Sequence, residues 1–378
     1  MQQPERSGAH SSPSWQIVVR RRGGRRYDAA MTSTITIPRP DDWHVHLRDD
    51  AMLDAVVGYT ARRFRYSMVM PNLVPPLTSV AAATEYRKRI LAAAPDGPDF
   101  RPVMALYCSA DVDLSDLRSG IAAGVVAAVK YYPAGATTNS EAGAATMTDL
   151  MPLYEVLAET GTRLLVHAES TDESVDIFDR EAHFLEHQLA PLMDTIPELL
   201  VTVEHVSTAA GVDLVRSRPG TAATITPHHL ARERSHLLAD GMRPDLYCKP
   251  VINSEADRVR LVEAATSGDP AFCLGTDSAP HPTTAKYGPK AKAGVFNAAY
   301  GLEVVAETFH AADALEQLPA FASHNGCAIY GVDVPSETIT LRRTPVDAEL
   351  ATQFTTSAGD DVVLFGVEEA MRWTIETP

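Results

Sequence analysis

Residues 124–139 read GVVAAVKYYPAGATTN. The run opens as a strand buried on both faces, since positions 125–129 are only valine and alanine. Lys130 then breaks the apolar pattern, ahead of two tyrosines and Pro133. An unpaired ammonium on a buried strand is costly, because the interior solvates a charge poorly. A lysine in this place is paired with a buried carboxylate, snorkels to solvent, or has had its charge altered.

Working outward, strand-like runs recur at 43–47, 66–70, 101–107, 125–131, 163–168, 200–206, 222–226 and 271–276. Most are short, apolar and β-branched. Helical stretches separate them. SVAAATEYRKRILAAA (79–94) is alanine-rich, keeps its charges to one side and stops at Pro95. MTDLMPLYEVLAETG (147–161) starts near an N-cap at Thr148 or Asp149 and ends on Gly161. Eight strands alternating with helices over roughly 240 residues predict an α/β fold of the (β/α)8 TIM-barrel type. A doubly wound open sheet is the alternative, but no glycine-rich dinucleotide turn follows the first strand. Residues 294–331 read as helices, and the tail beyond them as irregular structure with a short strand or two.

The chain has 378 residues, 45% hydrophobic and 22% charged, an ordinary globular balance. Its net charge of −16 argues against a nucleic-acid partner. No apolar run is long enough for a transmembrane helix. Cys108, Cys248, Cys273 and Cys327 form no CxxC pair and sit in or beside apolar runs, so reduced buried thiols in a cytoplasmic protein are expected. The first thirty residues stand apart, with six arginines against Glu5 and Asp28. Residues 1–30 are read as a basic extension, disordered or translated from a misplaced start. Residues 31–378 are read as one barrel domain with a C-terminal helical segment and tail.

Polar residues recur late in the expected strands. DWHVHLRD (42–49) carries His44 and His46, and i, i+2 residues of a strand face one side. LLVHAE (164–169) carries His167, VEHVS (203–207) carries His205, and LGTDSAPH (274–281) brings Asp277 and His281. In a TIM barrel the C-terminal strand ends form the active-site face. Four histidines and an aspartate converging there make a nitrogen and oxygen ligand set for a metal. Lys130 falls at the same level. Reaction of its neutral amine with carbon dioxide gives a carbamate, an anion able to bridge two cations, and desolvation near cations favours the neutral amine.

DWHVHLRD, MPNLVPP (70–76), KYYPAGATTNS (130–140), LLVHAE, VEHVST, ITPHHL (225–230), LYCKP (246–250) and GTDSAPH together resemble the dihydroorotases. The likeness is to their shorter bacterial form, within the metal-dependent amidohydrolases. The resemblance implies reversible hydrolysis of L-dihydroorotate to N-carbamoyl-L-aspartate, a step of pyrimidine synthesis, through a hydroxide bridging two zinc ions. It implies that His44, His46 and Asp277 hold one zinc, that His167 and His205 hold the other, and that a carboxylated Lys130 bridges both. Asp277 also carries the proton. Arg48, Asn72 and His281 take the substrate carboxylate, and backbone atoms at Lys249 and Ala293 hold the ring amides. By the same resemblance, residues 133–143 would form a mobile lid in which Thr137 and Thr138 meet the substrate. His228 and His229 are not expected ligands. A homodimer follows by analogy. Three departures stand out: the basic extension, Lys249 in place of an apolar residue, and the lysine-rich PTTAKYGPKAKAG (282–294). The competing readings are another cyclic amidohydrolase of the hydantoinase kind and a non-catalytic scaffold.

Overall fold

The computed structural model describes residues 33–376, apart from residues 142, 144, 145, 240 and 344–348. The basic extension expected over residues 1–30 lies outside the described residues. Strand β1 (Ser33–Pro38) stands apart from the barrel. Eight further strands pair side by side in chain order, all parallel. These are β2 (Asp42–Val45), β3 (Tyr66–Val69), β4 (Arg101–Tyr107), β5 (Ala128–Tyr131), β6 (Arg163–Val166), β7 (Val201–Val203), β8 (Ala222–Ile225) and β9 (Phe272–Leu274).

The ring closes beyond the strand ends. Asp277 N–H donates to the His44 carbonyl at 2.8 Å, and His46 N–H donates to the Ser278 carbonyl at 3.0 Å. The Asp42 carboxylate ties the same seam, accepting from the Thr276 N–H at 2.8 Å and the Thr276 hydroxyl at 2.6 Å. Burial pushes this carboxyl up to about 7 against those bonds. The (β/α)8 barrel read from the sequence is the fold observed.

Strand periodicity explains where Lys130 goes. Met68, Ala105, Ala128, Leu165 and Cys273, from five different strands, pack with Trp43 in one buried cluster inside the barrel. Trp43 also stacks on Tyr330 with ring centroids 4.2 Å apart. Val129 and Tyr131, the neighbours of Lys130, belong instead to the larger core shared with the helices. Lys130 is two residues past Ala128 and His167 two past Leu165, so both continue the inward face toward the C-terminal strand ends.

The helices form where their caps and breakers place them. Helix Val80–Ala93 starts on Ser79, whose hydroxyl accepts from the Ala82 N–H at 3.2 Å, and ends before Pro95. Helix Met151–Thr160 ends on Gly161 at φ 64°. Its entry differs from expectation: a 3-10 turn, Met147–Leu150, precedes it, and the box that caps the turn is built by Thr146 and Asp149. Strand β5 is also shorter than expected, because residues 124–127 turn out of the helix Leu114–Ala122 before pairing begins.

The C-terminal segment holds the expected helices, Gly301–Ala311 and Asn325–Tyr330. The tail contributes β10 (Thr338–Arg343), β11 (Gln353–Thr355), β12 (Asp361–Val363) and β13 (Trp373–Glu376). Strand β10 lies between β1 and β13 in an antiparallel three-stranded sheet. All four cysteines are buried free thiols.

Candidate metal-dependent active site

The C-terminal ends of β2, β5, β6, β7 and β9 bring His44, His46, Lys130, His167, His205 and Asp277 together. The contacts of His44, His46 and His167 fix which of their ring nitrogens point inward, while His205 Nδ1 has no partner among the described residues. His44 Nδ1 donates to the buried Glu204 carboxylate, which leaves a lone pair on Nε2. His46 Nδ1 donates to Asn72 Oδ1 at 2.9 Å, with the same consequence. The two Nε2 atoms lie 3.4 Å apart and face Asp277 Oδ1 at 3.4 and 3.1 Å. Across the site, His167 Nε2 donates to Glu169 Oε2 at 3.0 Å, and its Nδ1 stands 3.1 Å from His205 Nε2. Lone pairs that face each other repel unless a cation sits among them.

The electrostatics agree with that geometry. Burial lowers the proton affinity of His44, His46, His167 and His205, which keeps the imidazoles neutral. Burial raises the Asp277 carboxyl above its ordinary value, opposed by His44 and Lys130. Lys130 is fully buried, and its Nζ has no hydrogen-bond partner among the described residues. Burial lowers its pKa to about 8. The structure thus supplies neither the paired carboxylate nor the route to solvent that would excuse a plain ammonium. A divalent metal fits this set: the ligand atoms of His44, His205 and Asp277 all lie within 4.8 Å of one another.

Backbone strain is concentrated here. Arg48, His205 and Asp277 hold φ of 58°, 42° and 46°, a region that side-chain-bearing residues rarely adopt. The tight turns at the strand ends aim these side chains inward.

Arg48, Asn72, Thr137, Thr138, Lys249 and Ala293 line the same pocket, and His281 stands beside it against Arg48. Arg48 makes no ion pair among the described residues; Asp49, its neighbour, pairs with Arg89 at 2.7 Å. The guanidinium instead donates to the Pro280 carbonyl at 3.2 Å and lies 3.0 Å from His281 Nε2. That nitrogen is also 3.0 Å from the Ala293 carbonyl. It can accept from Arg48 or donate to Ala293, not both, so one polar group is left for a ligand in either tautomer. Asn72 Nδ2 donates to the Thr138 carbonyl at 3.0 Å, and the Thr138 hydroxyl reaches the Ala293 carbonyl at 3.4 Å. Thr137 stands beside Thr138 over the pocket, its N–H given to Ser140 Oγ at 2.9 Å. The enclosed cavity measures about 20 Å³, space for a water rather than a ring.

Three residues of the site were not singled out from the sequence. Glu169 follows His167 by two, so the i, i+2 rule that paired His44 with His46 could have found it. Glu204 precedes His205 but serves His44 across the barrel, which no local pattern reveals. The Tyr132 ring lies under Lys130, with Nζ 5.1 Å from its centroid. His228 and His229 stay outside the set. His228 Nδ1 meets Asn297 Nδ2 at 3.2 Å, and His229 uses both nitrogens, on Thr226 and the Pro250 carbonyl.

Comparison with known proteins shows the family. Residues 37–341 match the model of the amidohydrolase family. The dihydroorotase of Erythrobacter litoralis (strain HTCC2594) is 47% identical over 349 residues, covering 92% of this chain and 100% of its own length. That of Halorhodospira halophila (strain DSM 244 / SL1) is 46% identical over 350 residues, covering 91% and 99%. The crystal structure of dihydroorotase from Campylobacter jejuni superposes with a TM-score of 0.82 at 32% identity, covering 92% of this chain and 98% of that one. The chain belongs to the amidohydrolase family and, within it, to the dihydroorotases.

Proposed function

We infer that this protein interconverts L-dihydroorotate and N-carbamoyl-L-aspartate, the ring-closing step of pyrimidine synthesis. The observation that carries the reading is the unpaired Arg48 guanidinium standing beside the converged histidines, since a cyclic amide without a carboxylate has no use for it. His44, His46 and Asp277 would hold one zinc ion and His167 and His205 a second. Lys130, carboxylated on Nζ, would bridge them, which accounts for its burial without a partner. When bound, the ions act as Lewis acids toward the ring carbonyl and lower the pKa of the attacking water.

The chain's own groups do the rest. Arg48, Asn72 and His281 hold the substrate carboxylate and so fix the ring against the site. Backbone groups at Lys249 and Ala293 hold the ring amides. In ring opening, Asp277 takes the proton of the attacking water and delivers it to the departing ring nitrogen. In ring closure it relieves the ureido nitrogen of its proton. Thr137 and Thr138, on the loop over the cavity, close on the bound ring and exclude water; the loop lifts to admit substrate.

The protein would work as a cytoplasmic homodimer, which sedimentation at micromolar concentration tests. No helix among the described residues is long and apolar enough to cross a membrane. The function itself is tested by offering the purified enzyme L-dihydroorotate and hydantoin in parallel. Turnover of dihydroorotate well above hydantoin is expected. Turnover of hydantoin alone would move the protein to another amidohydrolase activity, and turnover of neither would leave a scaffold.

A further inference from the structure

We propose that the Lys249 side chain is a positioning residue for the His167–His205 half of the metal site, acting through Glu169. The proposal rests on the metal-binding reading above and adds to it. Lys249 was expected to matter only through its backbone. Its ammonium instead turns back into the site wall and donates to Glu169 Oε1 at 2.5 Å. The other oxygen of the same carboxylate accepts from His167 Nε2 at 3.0 Å. The side chains of Glu169 and Lys249 are 2% and 12% exposed, so the pair is largely removed from water.

The relay has a definite chemical effect. An ionised carboxylate only accepts hydrogen bonds, so Glu169 requires the proton of His167 on Nε2 and the lone pair on Nδ1. That lone pair is the one facing His205 Nε2. Lys249 Nζ holds Oε1 of that carboxylate, which leaves Oε2 set toward His167. The other half of the site is built differently. Glu204, which orients His44, is closed by the Thr224 hydroxyl at 2.8 Å, and no ammonium or guanidinium bonds to it among the described residues. Lys249 therefore acts on one half of the site and not the other. It holds His167 in the tautomer and orientation that bind metal.

The test is a zinc titration of the metal-free full-length protein against a competing chelator, with cobalt(II) as a spectroscopic probe in parallel. Wild type, Lys249→Met, Lys249→Arg, Glu169→Gln and the Lys249→Met/Glu169→Gln double variant are compared, with circular dichroism to confirm folding. Wild type should bind two ions. Lys249→Met should keep one at wild-type affinity and bind the other about 10–100-fold more weakly, the range for lost partners of metal ligands. It should also alter the cobalt(II) spectrum. Lys249→Arg should restore much of the loss, and adding Glu169→Gln to Lys249→Met should cost little more, because both act through one relay. Two ions bound at wild-type affinity by Lys249→Met and by Glu169→Gln would overturn the proposal while leaving the metal site standing. A wild type that binds no zinc would instead remove the metal-binding reading and this inference with it.

Discussion

The His44 imidazole gives its Nδ1 proton to Glu204, and that bond turns Nε2 toward Asp277 and His46. The carboxylate is fully buried, and its bonds to His44 and Thr224 hold it below its ordinary pKa against the pull of burial. Glu204→Gln should weaken the zinc expected on His44, His46 and Asp277 by about 10–100-fold. Competitive chelation checks this. Unchanged zinc affinity in a folded Glu204→Gln protein would show that His44 needs no such partner.

In the proposed reaction Arg48 would set substrate choice. Replacing it with methionine removes one or two charge-assisted bonds to the substrate carboxylate, worth about 1.5–3 kcal/mol, or roughly 10–150-fold in KM. Zinc content should stay at the wild-type level, because the guanidinium touches none of the expected ligand atoms. Steady-state kinetics with dihydroorotate decide the point, and an unaltered KM would remove Arg48 from the carboxylate pocket.

The loop that carries Thr137 and Thr138 should respond to ligand. Amide hydrogen exchange at residues 137–140 should slow when a carboxylate-bearing substrate analogue binds, since the loop then stays down. Thr138→Ala should lower kcat/KM by about 10-fold, the cost of one hydrogen bond. Exchange that is unaffected by saturating analogue would mean the loop is no lid.

Away from this chemistry, Glu307 ties the C-terminal sheet to the helix Gly301–Ala311. It accepts from Arg343 at 2.9 and 3.1 Å, from Arg372 at 3.0 Å and from Trp373 Nε1 at 2.8 Å. Burial opposes its charge, but these donors together lower its pKa to about 2 from 4.5. A depressed carboxyl pKa stabilises the fold above the unfolded value and ceases to do so as pH falls through the folded one. Glu307→Gln should therefore cost about 1–2 kcal/mol at pH 7, after allowance for solvent screening. The difference from wild type should shrink between pH 4.5 and about 2. Denaturant melts across that window provide the check, and a pH-independent difference would contradict it.

Much of this molecule was legible in its sequence because periodicity and chemistry coincide in a barrel. Each stave is a short apolar run, and the polar residue that breaks the run late is the one at the active-site face. His167 and His205 were visible on that ground, and Lys130 once the four histidines and Asp277 fell at the same level. What stayed hidden depends on contacts between distant segments. The bond from Glu204 to His44 crosses the barrel, and the turn of Lys249 toward Glu169 depends on how a loop folds back. The strand Ser33–Pro38 was also not foreseen: it forms by pairing with Thr338–Arg343 at the far end of the chain. The late start of the Ala128–Tyr131 strand has the same origin, since residues 124–127 are as apolar as a strand but are spent on the turn.

The central claim is that Lys130 is carboxylated and bridges two metal ions. Zinc content and dihydroorotate turnover, measured side by side in wild type and Lys130→Ala, test it most directly. Wild type should hold two zinc ions per chain, and Lys130→Ala should lose zinc and fall to background turnover. Short carboxylic acids added with zinc should restore part of the activity by supplying the missing bridge. A folded Lys130→Ala enzyme with full zinc content and unchanged turnover would contradict the account.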